Sequence, residues 1–314
     1  MPIAAEARRP HILIVAGDPS GDERAAALAE ALRLRLPALR LTALGGAHLA
    51  KVVDTLAYPL VDVGGFGFAE LATKLPRLWA AWRTVQARLR EDPPDLVVPV
   101  DYYGFNIHVA RAAHQRRIPV VYYISPQVWA SRPHRVHHLA KVISKMLVIF
   151  PFEVDLYRRA AVPVVWVGHP LRDRMPAPRE EASPPVVGLF PGSRRGTVMR
   201  HLPLLVETAR RLRTQFPSCR FQLFRPLELP EELYRASLAD DPWIELLYDP
   251  NYDQRPKLCV AITVSGTASL ENMLLGIPMV IMYRLPALTY QIAKRLIRVP
   301  FVGIPNLLAG RAVV

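Results

Sequence analysis

"HILIVAGDPSGD", residues 11–22, decides the fold. A largely apolar run, without the alternation of a half-exposed strand, ends on Gly17, and a helical pattern takes over at 22–36. Such a run fits a strand covered on both faces, as a parallel sheet between helices requires. The turn between strand and helix combines Gly17 and Gly21, which permit tight backbone, with Ser20 or Asp22 as a helix cap. Its acids, Asp18 and Asp22, suit hydroxyls or a sugar better than a phosphate.

The same rhythm continues along the chain. "LRLTALGG" (39–46), a long helix over 67–90, "DLVVPVD" (95–101), a helix to about 116, "PVVYYIS" (119–125), "KMLVIF" (145–150) and "VPVVWVG" (162–168) predict one doubly wound α/β domain over residues 1–171. A proline-rich, mixed-charge stretch, "RDRMPAPREEASPP" (172–185), reads as a linker. The pattern then restarts: "VVGLFPGS" (186–193), a helix near 199–216, "RFQLF" (220–224), "IELLY" (244–248), "CVAITVSG" (259–266), a helix at 268–276, "PMVIMY" (278–283) and a helix at 286–298. Residues 186–314 therefore form a second α/β domain.

With 314 residues and 51% hydrophobic content, the chain supports two cores. A net charge of +13 points to an anionic partner: nucleic acid, a phosphorylated substrate or an acidic membrane surface. The aromatic residues form no stacking platform, which argues against nucleic acid. Cys219 and Cys259 lie in apolar segments and read as buried free thiols in a reducing compartment, the cytoplasm by default. No apolar run reaches the length of a membrane span, and the N-terminus lacks the cleavage site of a signal peptide.

In open α/β sheets ligands bind beyond the carboxyl ends of the strands, so residues there are the candidates. "LVVPVDYYGFN" (96–106) delivers Asp101 at a strand end, with Asn106 undecided between ligand contact and local structure. "FPGSRRGT" (190–197) offers Gly192, Ser193 and Arg194 at a helix start, a setting for a diphosphate. "VSGTASLE" (264–271) places Ser265, Gly266 and Thr267 before Glu271, which reads either as a dipole-stabilising acid or as a partner for ribose hydroxyls. "YYISPQVWASRPHRVHHLAK" (122–141) contributes Ser125, Gln127 and Trp129. Its His134, His137 and His138 lack acidic neighbours and read as a solvated basic face, not a metal site. His169, in "VGHPLRD", falls at the domain junction, where a hinge would set it over a cleft. Along 66–90, Phe68, Leu75, Trp79 and Trp82 with basic flanks fit a helix docked on the sheet, an interfacial membrane helix, or both on different faces.

Taken in order, "VAGDPSGD", "DYYGFN", "YYISPQVWA", "VIFPFEVDLY", "VGHPLRD", "LFPGSR", "SGTASLE", "PMVIMYR" and "PNLLAG" closely resemble the lipid-A-disaccharide synthase family, from about residue 11 to 314. The resemblance implies a GT-B fold of two Rossmann-like domains facing a cleft, with no cofactor and no catalytic metal. It implies inverting transfer of 2,3-diacylglucosamine from UDP-2,3-diacylglucosamine to 2,3-diacylglucosamine 1-phosphate, by an enzyme peripheral to the cytoplasmic face of the inner membrane. Carried onto this chain, it assigns Gly192, Ser193 and Arg194 to the diphosphate, and Ser265, Gly266, Thr267, Glu271 and Asn306 to the rest of the donor. Asp18, Ser20, Gly21 and Asp22 face the cleft, and Asp101 assists deprotonation of the acceptor. Two positions depart from the family pattern: Asp18 stands where it usually has Glu, and Thr197 where "GSRxxE" has its acid. The family also continues beyond the point matching "AGRAVV", so the second domain is expected to be incomplete, with exposed apolar surface that a partner or a second copy would cover.

Overall fold

The computed structural model describes residues 9–61, 71–177, 183–227, 229–286, 290–291, 294–295 and 299–314. The chain divides into two compact units, residues 1–169 and 170–314. The first contains β1 (His11–Ala16), α1 (Pro19–Arg35), β2 (Arg40–Gly45), α2 (Ala47–Ala50), β3 (Thr55–Pro59), α3 (Leu71–Glu91), β4 (Leu96–Val100) and α4 (Tyr103–Gln115). It continues with β5 (Val121–Tyr123), α5 (Val128–Ser131), α6 (Arg135–Ala140), β6 (Lys145–Val148), α7 (Glu153–Arg159) and β7 (Val164–Trp166). Its sheet is parallel throughout, in the order β3-β2-β1-β4-β5-β6-β7.

The apolar runs work as the sequence predicts. Every residue of β1 is buried. Leu13 and Val15 join a core with Ala81, Val85 and Leu89 of α3 and Val109, Ala110 and Ala113 of α4. Ile12 and Ile14 point to the opposite face by strand alternation, and α1 packs on β1 with Ala25 and Ala29 fully buried. Covering both faces removes the sheet from water, and truncating one such side chain to alanine typically costs about 2–5 kcal/mol.

The second unit contains β8 (Val186–Phe190), α8 (Arg195–Gln215), β9 (Arg220–Phe224), α9 (Glu232–Leu238), β10 (Ile244–Leu247), β11 (Val260–Val264), α10 (Thr267–Leu274), β12 (Met279–Met282) and α11 (Ile304–Ala309). Its parallel sheet has the order β10-β9-β8-β11-β12. Val187 and Leu189 pack on α8 through Val198, Leu202 and Leu205, while Val186 and Phe190 join a second core with Phe224, Leu258 and Leu275. Cys219 and Cys259 are half-buried at the margin of the first of these cores, less enclosed than their apolar surroundings predict.

Several elements differ from expectation. β3 escapes the apolar-run criterion because it is a half-exposed edge strand, and α2, α9 and α11 are each only one or two turns long. Helix α8 begins at Arg195, four residues before the predicted start, so Gly196 and Thr197 lie in its first turn. Most of the helix predicted over 286–298 lies outside the described residues.

Both strand orders reverse once. From β1 the chain winds outward to β3 and returns to β4 on the other side of β1; from β8 it winds to β10 and returns to β11. Ligand crevices of doubly wound sheets form beyond the strand ends at this reversal. The loops in question follow β1 and β4 in one unit, and β8 and β11 in the other. They hold Asp18 and Asp101, and Gly192–Arg194 and Ser265–Thr267.

Candidate active site

β4 ends at Val100, and the next two residues adopt left-handed backbone, φ 46° at Asp101 and 42° at Tyr102. Such conformations typically cost about 1–3 kcal/mol each for residues with a side chain, and surrounding bonds must hold them. Asp101 N donates to the carbonyls of Tyr123 (3.1 Å) and Ile124 (3.2 Å). Asp101 O accepts from the Tyr122 hydroxyl and from Asn106 Nδ2, the latter at 3.0 Å. Asn106 Nδ2 also donates to Val100 O at 3.0 Å and Val15 O at 3.3 Å. Asn106 is fully buried, and its side-chain amide clamps the turn.

The turn aims a carboxylate. Asp101 Oδ1 accepts from Tyr102 N at 2.9 Å, and Oδ2 has no hydrogen-bond partner among the described residues. Burial, aided by the nearby Asp18 carboxylate, raises the Asp101 pKa to about 6, against the opposing pull of Arg24 and the Tyr102 amide. A carboxylate with one unpartnered oxygen and this pKa is ionised at neutral pH and more basic than usual, as a general base needs.

Asp18 lies on the neighbouring loop, which Gly17 brings close: a Cβ there would stand 2.1 Å from the Tyr102 ring. Asp18 itself caps α1, a role the sequence offers to Ser20 or Asp22. Its Oδ1 accepts from Gly21 N at 2.8 Å and from Ser20 Oγ at 2.7 Å. Asp22 turns inward, is 1% exposed, and caps α2 by accepting from Gly46 N (2.6 Å) and His48 N (2.9 Å). Of the four expected residues on this loop, Asp18 and Ser20 present side chains outward, Gly21 supplies backbone, and Asp22 faces inward on α2.

The "SPQVW" loop has its own buried anchor. Ser125 Oγ lies 2.8 Å from the Tyr157 hydroxyl. Trp129 Nε1 donates to Glu153 Oε1 at 3.1 Å, and Phe150 N donates to Glu153 Oε2 at 3.0 Å. Burial raises the Glu153 pKa to about 7. Ser125 and Trp129, expected at the ligand, thus tie the loop to α7, and Gln127 is the member left exposed. His169, the last residue of the first unit, lies obliquely over the Phe150 ring at 5.5 Å; burial first and Arg24 second lower its pKa to about 4. On α3, Leu75 and Trp79 are 58% and 61% exposed, and Arg83 sits 4.9 Å from the Trp79 ring centre. Trp82 instead packs edge-on against Phe105 at 6.5 Å and belongs to the core side. Phe68 lies outside the described residues.

In the second unit, Gly192 has φ 104°, and a Cβ there would meet the Thr197 methyl at 2.9 Å and Val264 at 3.1 Å. Thr197 therefore packs its methyl against the glycine where the family pattern has an acid. Ser193 and Arg194 are exposed, and α8 begins with no side chain capping its amides. α10 likewise begins uncapped after Gly266. Two helix starts beside one another at the strand reversal make an anion-binding setting. Ser265 Oγ is engaged by Val302 O at 2.9 Å. Glu271 accepts from the Tyr252 hydroxyl at 3.0 Å and from Arg255. Arg255 is walled by the rings of Tyr252, Phe190 and Phe224, at 4.9, 5.3 and 5.6 Å. Asn306 does not present a free amide: Oδ1 accepts from Val313 N and Val314 N, and Nδ2 donates to Val314 O.

Sequence reasoning missed four residues. Arg24 acts on both Asp101 and His169. Tyr122 holds the Asp101 carbonyl. Glu153 looks like an ordinary first-turn acid, and its only signal is the preceding "FPF". Arg255 has none, because Phe190, Phe224 and Glu271 come from three separate elements and meet it only in the folded chain.

Residues 12–314 match the family described as Lipid-A-disaccharide synthetase. The chain is 41% identical over 319 residues to the lipid-A-disaccharide synthase of Geobacter sulfurreducens, an alignment covering 96% of this chain and 82% of that one. Among solved structures it is similar to the UDP-GlcNAc 2-epimerase of Neisseria meningitidis bound to UDP-GlcNAc, with TM-score 0.56, 14% identity, and 96% and 90% of the two chains covered. It is also similar to the glycotransferase of kitacinnamycin, with TM-score 0.58, 16% identity, and 90% and 82% covered. At these identities the structural likeness speaks for the fold alone, two parallel α/β units of the GT-B type.

Proposed function

We propose a reaction from one premise: the chain belongs to the lipid-A-disaccharide synthetase family. It transfers 2,3-diacylglucosamine from UDP-2,3-diacylglucosamine to the 6-hydroxyl of 2,3-diacylglucosamine 1-phosphate. The carrying observation is Asp101, held in a left-handed turn with one carboxylate oxygen unpartnered among the described residues and a pKa of about 6. Asp101 Oδ2 takes the proton of the 6-hydroxyl as that oxygen attacks the anomeric carbon from the face opposite UDP. The new C–O bond forms as the bond to the diphosphate breaks, which inverts the centre. Negative charge grows on the departing UDP, and the uncapped starts of α8 and α10, with Ser193 and Arg194, stabilise it. Glu271, fixed by Tyr252 and Arg255, receives the ribose hydroxyls.

The purified chain supplied with both acyl sugars should release UDP and disaccharide in equal amounts. Because the base works only when ionised, kcat/KM should fall about tenfold per pH unit below about 6 and level off above about 7. UDP binding without turnover, or a rate flat from pH 5 to 8, would overturn the reading.

The same reading sets the protein on the cytoplasmic face of the inner membrane. It is supported by the exposed Leu75 and Trp79 beside Arg83, and among the described residues no helix is long and apolar enough to cross a membrane. Leu75→Ser with Trp79→Ser should lower co-sedimentation with phosphatidylglycerol vesicles several-fold while leaving the melting temperature unchanged, since both side chains already face water. Unchanged co-sedimentation would remove α3 from the membrane contact.

A further inference from the structure

Between Asp101 and Glu153 the sequence contains no Asp or Glu, yet it holds five arginines and two lysines. The fold gathers part of that charge beside the catalytic turn. Arg135 of α6 lies over the Tyr103 ring at 4.4 Å from its centre, and the Tyr103 hydroxyl is 3.3 Å from His138 Nδ1. Arg135 is half-buried, and burial together with the adjacent Arg132 guanidinium lowers its pKa. Among the described residues neither Arg132 nor Arg135 forms an ion pair. A solvated helix face explains guanidinium groups that spread apart into water. It does not explain one held on a ring, partly desolvated, next to a second of like charge.

That arrangement lacks an anion. A phosphate monoester is dianionic near neutral pH and matches the fork geometry of a guanidinium pair. Its position is also constrained, because Tyr103 follows Asp101 by two residues, a span of at most about 7 Å of chain. In a hexose 1-phosphate the 6-hydroxyl and the phosphate lie at opposite ends of one ring. We infer that Arg132, Arg135 and Tyr103 bind the anomeric phosphate of the acceptor, so that the sugar is gripped at its phosphate while Asp101 meets its 6-hydroxyl. The inference rests on the acceptor proposed above.

The test uses the full chain and an Arg132→Gln/Arg135→Gln variant, with glucosamine 1-phosphate and glucosamine as soluble probes in NMR titrations. The wild-type chain should bind the phosphate form more tightly, and the variant should lose about tenfold or more of that affinity with no change toward glucosamine. In turnover assays the variant should raise the acceptor KM by a similar factor and leave the donor KM unchanged. If the wild-type chain gives no disaccharide, the proposed reaction fails, while the titration still decides the phosphate site. Equal affinity of variant and wild type for glucosamine 1-phosphate overturns the inference. So does a variant that keeps this affinity but loses binding to phosphatidylglycerol vesicles, which would make the cluster a lipid-headgroup contact. Should the double variant unfold, the exposed single change Arg132→Gln carries the same readouts, with a smaller expected loss of affinity.

Discussion

Asp101→Asn is expected to stop turnover and, at the same time, to make the chain harder to unfold above neutral pH. Loss of the base should lower kcat by about 10²–10⁴-fold. The stability gain follows from the raised pKa. In the folded chain Asp101 titrates at about 6, above its ordinary value of 3.8. Between those values the folded state holds a proton that the unfolded state releases. The group's contribution to stability is therefore complete below about pH 4 and is lost as the pH rises through about 6. Asparagine cannot ionise, so the variant escapes the loss, a gain of about 2–3 kcal/mol at pH 8 and only about 0.5 kcal/mol at pH 4. Urea unfolding at the two pH values, beside the turnover assay, measures both effects. A variant that keeps its activity, or that is equally destabilised at both pH values, contradicts the assignment.

Asn106→Leu should damage the same site from beneath. Leucine keeps the branched shape, with bulkier ends, but removes a donor shared by Val15 O, Val100 O and Asp101 O. Leaving a buried carbonyl short of its donor costs about 1–3 kcal/mol where no water replaces it, and Asp101 O keeps the Tyr122 hydroxyl, so a loss of about 2 kcal/mol or more is expected. With the clamp gone, the two left-handed residues can relax toward ordinary backbone and carry the carboxylate away from its aim. kcat should fall by at least about a hundredfold, and acceptor KM should change less. The measurement that decides is kcat at a temperature where circular dichroism shows the variant folded. A value within twofold of wild type would mean that the turn holds itself without Asn106.

These two residues mark how far the sequence could be read. The unbroken run of β1 and the stop of β4 at Asp101 were legible because burial on both faces excludes polar residues until the strand ends. That β1 and β4 are neighbours was not legible, since the whole of β2, β3 and α3 separates them in the chain and strand order leaves no local trace. Their adjacency is what sets Asp18 beside Asp101. Polar residues were harder still, because the same side chain serves a ligand or the backbone. Asp22 looks as available as Asp18 until α2 is seen to begin on it. Ser125 and Trp129 carry no local sign of the bonds that Tyr157 and Glu153 make to them. β3 stayed hidden because an edge strand does not need the apolar run that betrays a central one.

The aromatic walls around Arg255 carry a consequence for how this unit can change. Phe190 is the last residue of β8, two positions before Gly192, and it stacks on Phe224 at 4.7 Å. The guanidinium resting on both rings is the one that holds Glu271. The loop proposed for the diphosphate and the acid of α10 are thus mechanically joined through a single side chain. A substitution at Arg255 that frees Glu271 also loosens its hold on the end of β8, beneath Gly192. Under the proposed reading, nucleotide preference and diphosphate grip should consequently change together as one inherited trait, coupled through Arg255.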